Sequence, residues 1–230
     1  VIAYDSTGAA TWTARIAPDD AAAPPAVVRG TSAAGDRVIV TGEQWRDANG
    51  WRSIGVVASL EVKTGRVLWR TVIEGPEARR SASSSALIAD GRVYVADALA
   101  NRVVALDAAT GAILWQFAGA ADGVGSADTP QRAGAHLIVA SGDGRVYALD
   151  PATGERAWVQ RLPARASAAA LCSGRIMAIY QGIASLDPAS GRILERLLDD
   201  DRDYVDSGVV VAGGALYAGG PRAAYRIDCG

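Results

Sequence analysis

The chain has 230 residues, 50% of them hydrophobic, and a formal net charge of -2. That length and apolar content suffice for one large folded domain, and the near-neutral charge excludes the basic footprint of a nucleic-acid-binding surface. No apolar run reaches the ~18 residues of a membrane-spanning helix, so no helical span is expected.

Taken in order, the chain repeats itself. VIAYDSTGAATW (Val1 to Trp12) returns as VASLEVKTGRVLW (Val57 to Trp69), VVALDAATGAILWQF (Val103 to Phe117) and VYALDPATGERAW (Val146 to Trp158). IASLDPASGRILE (Ile183 to Glu195) has Glu195 in place of the tryptophan, and AAYRIDCG ends at Gly230. The turn glycines Gly8, Gly65, Gly111, Gly154 and Gly191 recur at intervals of about 40 residues, the period of a propeller or solenoid whose units bury their faces against one another.

Each full unit reads as four short strands. Before Trp115 these are Ala86 to Ala89, Arg92 to Ala96, Arg102 to Asp107 and Ile113 to Phe117, with Asp90-Gly91 as a tight turn. In the next unit Asp143-Gly144 marks a hairpin between HLIVAS and RVYALD. LCSGRIMAIYQGIASLD carries the same turns, and the last unit offers Gly208 to Ala212, Ala215 to Ala218 and Ala223 to Asp228. Runs such as RVYVA are too continuously apolar for a sheet with one wet face, so both faces should be covered. No window reads as a long amphipathic helix, because glycine, proline and turn pairs interrupt every candidate.

The expected fold is an all-β propeller of four-stranded antiparallel blades. Its boundaries are a half blade at 1–16, blades at 17–73, 74–118, 119–162 and 163–198, and a partial blade at 199–230. Both termini supply a third-type strand and would compete for one place, which favours an arc of a larger ring over a closed five-bladed one. Val1 and Gly230 each fall inside a repeat, as in a processed chain or a piece of a longer one.

The repeat residues have structural roles. Asp107 and Asp150 can accept hydrogen bonds from the amides of their own turns, and Thr110 can add another. Gly111 and Gly154 allow the left-handed backbone those turns need. Trp115 and its equivalents offer a large flat surface with an indole N-H that seeks an acceptor, which suits a seam between two blades.

The pattern Ala-x-Asp-x-x-Thr-Gly-x-x-x-Trp, complete at Ala105 to Trp115 and Ala148 to Trp158, resembles the tryptophan-docking repeat of the pyrroloquinoline-quinone-like (quinoprotein-like) β-propellers. The copy at Val57 departs with Ser59 and Glu61, the first with a shorter turn, and the fifth with Ser185, Ser190 and Glu195. The resemblance implies docking of Trp12, Trp69, Trp115 and Trp158 between neighbouring blades. The family holds quinoprotein dehydrogenases, and non-catalytic propellers such as the outer-membrane β-barrel assembly lipoprotein and sensor domains of membrane kinases. It further implies export to the periplasmic or extracellular side of the membrane, with a kinase, lipid anchor or haem domain attached in some members.

Little in the sequence speaks for catalysis. The dehydrogenases of the resembled family commonly hold quinone and Ca²⁺ with carboxylate and amide oxygens, and Ca²⁺ takes six to eight such ligands. Here Asn49 and Asn101 are the only asparagines, and the resemblance's adjacent-cysteine disulfide is missing, since Cys172 and Cys229 are far apart. These two read as buried thiols, although spacing alone leaves pairing open. His136, the only histidine, reads as a turn or strand-edge residue rather than a general base, and usual zinc sets are not available. Gly123-Val124-Gly125 lacks the Lys-Ser/Thr of a phosphate loop, and Arg79-Arg80 reads as solvated surface. No catalytic residue, cofactor or metal is assigned.

The distinctive insertion is Glu43 to Ser53, EQWRDANGWRS, which lengthens the link from second to third strand and holds Trp45 and Trp51. On the same face should lie Asp19-Asp20, Glu77 to Arg80, Asp122 to Asp128, and the acidic run Asp199, Asp200, Asp201, Asp203 and Asp206. Tryptophans beside carboxylates suit a protein partner, as buried anchors with orienting charge. Equally, Trp45 and Trp51 can cap their own hairpin while the aspartates stay solvated. The expected function is a non-catalytic binding, scaffolding or sensor module, with a fragment of a quinone- and calcium-dependent alcohol or sugar dehydrogenase as the alternative.

Overall fold

The computed structural model describes residues 1–16, 26–45, 53–73, 84–97, 102–119, 129–198, 205, 209–220 and 223–229. Every regular element among them is a strand, 21 in all. They divide into two compact units, Val1–Gln116 and Phe117–Gly230.

In the first unit, β1 (Ile2–Tyr4) and β2 (Ala10–Thr13) form a two-stranded sheet. Next come β3 (Val27–Ala34), β4 (Arg37–Trp45), β5 (Ser53–Glu61) and β6 (Val67–Ile73), paired in sequence order, then β7 (Leu87–Ala89), β8 (Arg92–Asp97), β9 (Arg102–Asp107) and β10 (Ile113–Ala118), also in order. In the second unit, β11 (Gln131–Ala133), β12 (His136–Ser141), β13 (Arg145–Leu149) and β14 (Arg156–Arg161) make one such sheet. β15 (Ala168–Cys172), β16 (Arg175–Ile179), β17 (Ile183–Leu186) and β18 (Ile193–Leu198) make another. The last sheet has three strands, β19 (Val209–Ala212), β20 (Ala215–Gly219) and β21 (Ala224–Asp228).

The continuous apolar runs are explained by burial on both faces. In β4 and β5, Val40, Val56, Ala58 and Leu60 pack toward Trp12, Ala14 and Ile16, whereas Ile39 and Val57 point the other way, into a cluster with Val93, Val95, Val104 and Leu106. The second unit repeats this: Ile176, Ala178, Ala184 and Leu186 meet Ile138, Val146 and Ala148, while Met177, Ile179 and Ile183 meet Leu216 and Ala218. Adjacent side chains on a strand leave on opposite faces, so β3–β6 and β15–β18 each serve two cores.

Two expectations need correction. Glu43, Gln44, Trp45 and Ser53 are not loop residues: β4 and β5 are nine residues each, and Trp45 pairs with Ser53 at their far end. Pairing can reach so far because the acid within it is satisfied, Glu43 accepting from Arg29 Nε at 2.9 Å and from Ser53 Oγ at 3.1 Å. Nor are Cys172 and Cys229 free thiols. They form a disulfide with Cα atoms 5.3 Å apart, a proximity created by sheet packing across 57 residues of sequence and invisible in spacing.

Candidate functional site

Two constructions recur from sheet to sheet. The first is the turn between third and fourth strands. Asp107 Oδ1 accepts from the N-H of Ala109 at 3.0 Å, the N-H of Thr110 at 2.8 Å and the Thr110 hydroxyl at 2.8 Å. Gly111, at φ 75°, donates its N-H to Asp107 O at 2.9 Å. Asp150 is held by Ala152 N-H at 2.6 Å and Thr153 N-H at 3.0 Å, with Gly154 at φ 76°. Asp187 takes N-H donors from Ala189 and Ser190, Asp5 is held from Thr7 and Ala9, and Glu61 accepts the Thr64 hydroxyl. These donors favour the charged form and hold all five carboxyls below their ordinary range; for Asp107 the Thr110 hydroxyl is the largest cause, and for Asp150 the N-H of Ala152.

A tryptophan from the preceding sheet lies against this turn. At Gly65, Gly111 and Gly191 a Cβ would collide with the six-membered ring of Trp12, Trp69 and Trp158 respectively. The three indole N-H groups donate to Val62 O at 2.7 Å, Ala108 O at 3.0 Å and Pro188 O at 3.1 Å, in each case the residue after the turn acid. Trp115, half-buried in β10, has its ring 5.9 Å from that of Tyr94, centroid to centroid.

The second construction is at the far end of the second strand. A buried acid sits there with an arginine of its own sheet: Glu43 with Arg29, Asp97 with Arg102 at 3.2 Å, and Asp143 with Arg145 at 3.2 Å. Arg102 Nη2 also donates to Ile73 O at 3.0 Å, and the Tyr147 hydroxyl donates to Asp143 at 2.5 Å. Beside Glu43, Gln44 Oε1 accepts from Arg70 Nη2 at 2.6 Å. These carboxylates are consumed by fixed partners, which orients side chains but leaves no oxygen set poised for a metal or a substrate proton. Sequence reasoning missed them; the available signal was an acid closing one apolar run and an arginine opening the next, Asp97 at the end of RVYVAD and Arg102 at the start of RVVALD.

Trp45, half-buried, stands at this end of the first unit. Trp51, Asp19, Asp20, Glu77 to Arg80, Asn49, Asn101, Asp122 to Asp128, Asp199, Asp200, Asp201, Asp203 and Asp206 lie outside the described residues. His136 is the first residue of β12, paired with Ala133 across its hairpin. Among the described residues no group of three or more His, Cys, Asp or Glu could hold a metal ion, and no helix is long and apolar enough to cross a membrane. A cleft of about 390 Å³ in the second unit lies along β11, β15 and β19; its polar side chains are Thr129 and Gln131, and no carboxylate lines it.

Consecutive four-stranded antiparallel sheets with a recurring turn of an acid, two residues, threonine or serine, and glycine define the class of quinoprotein-like β-propeller repeats. The family model described as "Outer membrane protein assembly factor BamB" matches residues 53–223, and the chain belongs to that family. Over 119 residues it is 30% identical to the assembly factor BamB of Xanthomonas campestris pv. campestris, a match covering 50% of this chain and 28% of that protein. The crystal structure of BamB from Moraxella catarrhalis superposes with a TM-score of 0.72 at 22% identity, over 99% of this chain and 66% of that one. The quinohemoprotein alcohol dehydrogenase of Comamonas testosteroni superposes with a TM-score of 0.65 at 14% identity, over 86% of this chain and 41% of its own. These structural likenesses show the fold, and the chain spans less than two thirds of each of these relatives.

Proposed function

We propose that the chain is a non-catalytic protein-binding and scaffolding module that works outside the cytoplasm, in the assembly of outer-membrane proteins. The observation that carries this reading is membership of the assembly-factor family across residues 53–223. The chemistry of the described residues supports it: acids in the two recurring constructions are tied to turns or arginines, in arrangements that stiffen a scaffold. The Cys172–Cys229 disulfide supports an oxidising compartment, where such bonds persist. In this reading Trp12, Trp69, Trp115 and Trp158 dock neighbouring sheets, while the partner meets the loops of one face, with Trp45 and Trp51 as apolar anchors and Asp199, Asp200, Asp201 and Asp203 as orienting charge.

Two measurements test the proposal. Titration of the chain against purified outer-membrane protein assembly machinery should give saturable binding that Trp45→Ala and Trp51→Ala together weaken by about tenfold or more. Titration with pyrroloquinoline quinone and Ca²⁺ should leave tryptophan fluorescence unchanged. Saturable quenching, joined by dye-linked oxidation of an alcohol or sugar, would replace the scaffold with the dehydrogenase-fragment alternative.

A further inference from the structure

Wherever a fourth strand carries a tryptophan and its turn is described in the same unit, the indole reaches one chemically defined spot on the following sheet: the carbonyl of the residue after the turn acid. In β18 the register position belongs to Glu195, which faces Ser185 as Trp69 faces Ser59 and Trp158 faces Ala148. A carboxylate has neither a ring to lie against a glycine nor an N-H for a carbonyl. The spot that an indole would have reached, the residue after Asp228, is Cys229.

Main-chain bonding confirms that equivalence. Cys229 N-H donates to Gly214 O at 3.0 Å, as Ala108 N-H donates to Gly91 O at 2.9 Å and Val62 N-H to Asp36 O at 2.8 Å, each across the turn between first and second strands. Cys229 is bonded in turn to Cys172, the last residue of β15 in the preceding sheet. At the one junction of the second unit where the sequence removes the indole, a covalent link joins the same two sheets at the same spot.

We propose that the Cys172–Cys229 disulfide replaces the missing indole in holding β19–β21 onto β15–β18, and that it makes this hold dependent on thiol–disulfide exchange. The disulfide acts beside apolar packing on the same junction, where Leu216 and Ala218 meet Met177, Ile179 and Ile183, with Val209, Tyr225 and Ile227 against that cluster. Cys229 is 8% exposed and Cys172 2%, so the exchange begins at Cys229. A thiolate of a dithiol reductant attacks the Cys229 sulfur and Cys172 leaves as thiolate. The second thiol of the reductant then displaces Cys229. Two electrons pass to the protein sulfurs, both thiols are protonated, and the reductant ends as its own disulfide.

The test is hydrogen exchange of the full chain, oxidised and after reduction by dithiothreitol, with free thiols counted in each state. Reduction should speed exchange in β20 and β21 by at least about tenfold while β12 and β13 change little. In the reduced state Glu195→Trp should recover part of that protection, about threefold or more, and Glu195→Gln none. The inference is overturned by titratable thiols before reduction, by unchanged exchange in β20 and β21, by equal acceleration across the unit, or by a tryptophan variant that exchanges like the reduced parent. The reduction experiment on the unsubstituted chain stands by itself if a variant fails to fold.

Discussion

Trp69 occupies the space that a side chain at Gly111 would need: a Cβ there would stand 2.5 Å from Trp69 Cε3, and the indole N-H donates to Ala108 O at 3.0 Å. Thr71 Oγ1 adds a bond to Gly111 O at 2.6 Å. One glycine therefore answers two demands, a left-handed backbone and the close approach of a ring from the preceding sheet.

Gly111→Ala and Gly91→Ala separate those demands. Both positions have positive φ, 75° and 71°, but Gly91 has nothing within 4 Å of its Cβ position. Gly91→Ala should cost about 1 kcal/mol for backbone strain alone, and Gly111→Ala about 3 kcal/mol or more, because the ring must also move. Urea unfolding of the two variants measures the difference, and equal midpoints would contradict the close-approach argument.

Trp69 is 9% exposed, so Trp69→Ala should destabilise by about 3–5 kcal/mol. Trp69→Phe keeps much of the buried area and loses the N-H donor. Since Ala108 O also accepts from Arg37 Nη1 at 3.2 Å, that loss should add only about 1 kcal/mol. Chemical unfolding should therefore rank native, Phe and Ala in that order with unequal steps.

Arg102→Met should be among the most damaging single changes outside the aromatic positions. It leaves the fully buried Asp97 carboxylate without the guanidinium 3.2 Å away, at a cost of about 3–5 kcal/mol. Adding Asp97→Leu should restore much of that stability, because an apolar pair leaves no buried carboxylate at this position. A double-mutant cycle of unfolding free energies checks the sign of the coupling.

Acid should weaken the fold through the turn carboxyls. Asp5, Glu61, Asp107, Asp150 and Asp187 are all held below their ordinary range by hydrogen bonds to the charged form. A folded pKa below the unfolded one means the unfolded chain takes up protons first. The stabilisation is full above about pH 4 to 5 and is lost as pH falls through the folded values. Asp107→Asn should thus lower the urea midpoint at neutral pH, and the gap from the parent should close in acid. A gap that stays constant down to about pH 3 would show that the charge of Asp107 is irrelevant to its turn.

The repeat was legible in the sequence because its demands are local. Asp107 to Gly111 closes a hydrogen-bonded loop within five residues, and a left-handed turn admits few residue types. Strand positions followed from the same turns, with ends shifted by a residue, as Leu87–Ala89 and Ile113–Ala118 show. Two-sided burial was legible too, since runs such as RVYVA have no wet face. What the tertiary structure alone decided were relationships between residues that no turn connects. Glu43 and Ser53 became strand because Arg29, 14 positions away, neutralises a buried charge there. Cys172 and Cys229 met because two packed sheets bring their Cα atoms to 5.3 Å. Periodicity records which face of a strand is apolar, whereas charge pairing and cross-linking depend on distances set only when sheets pack.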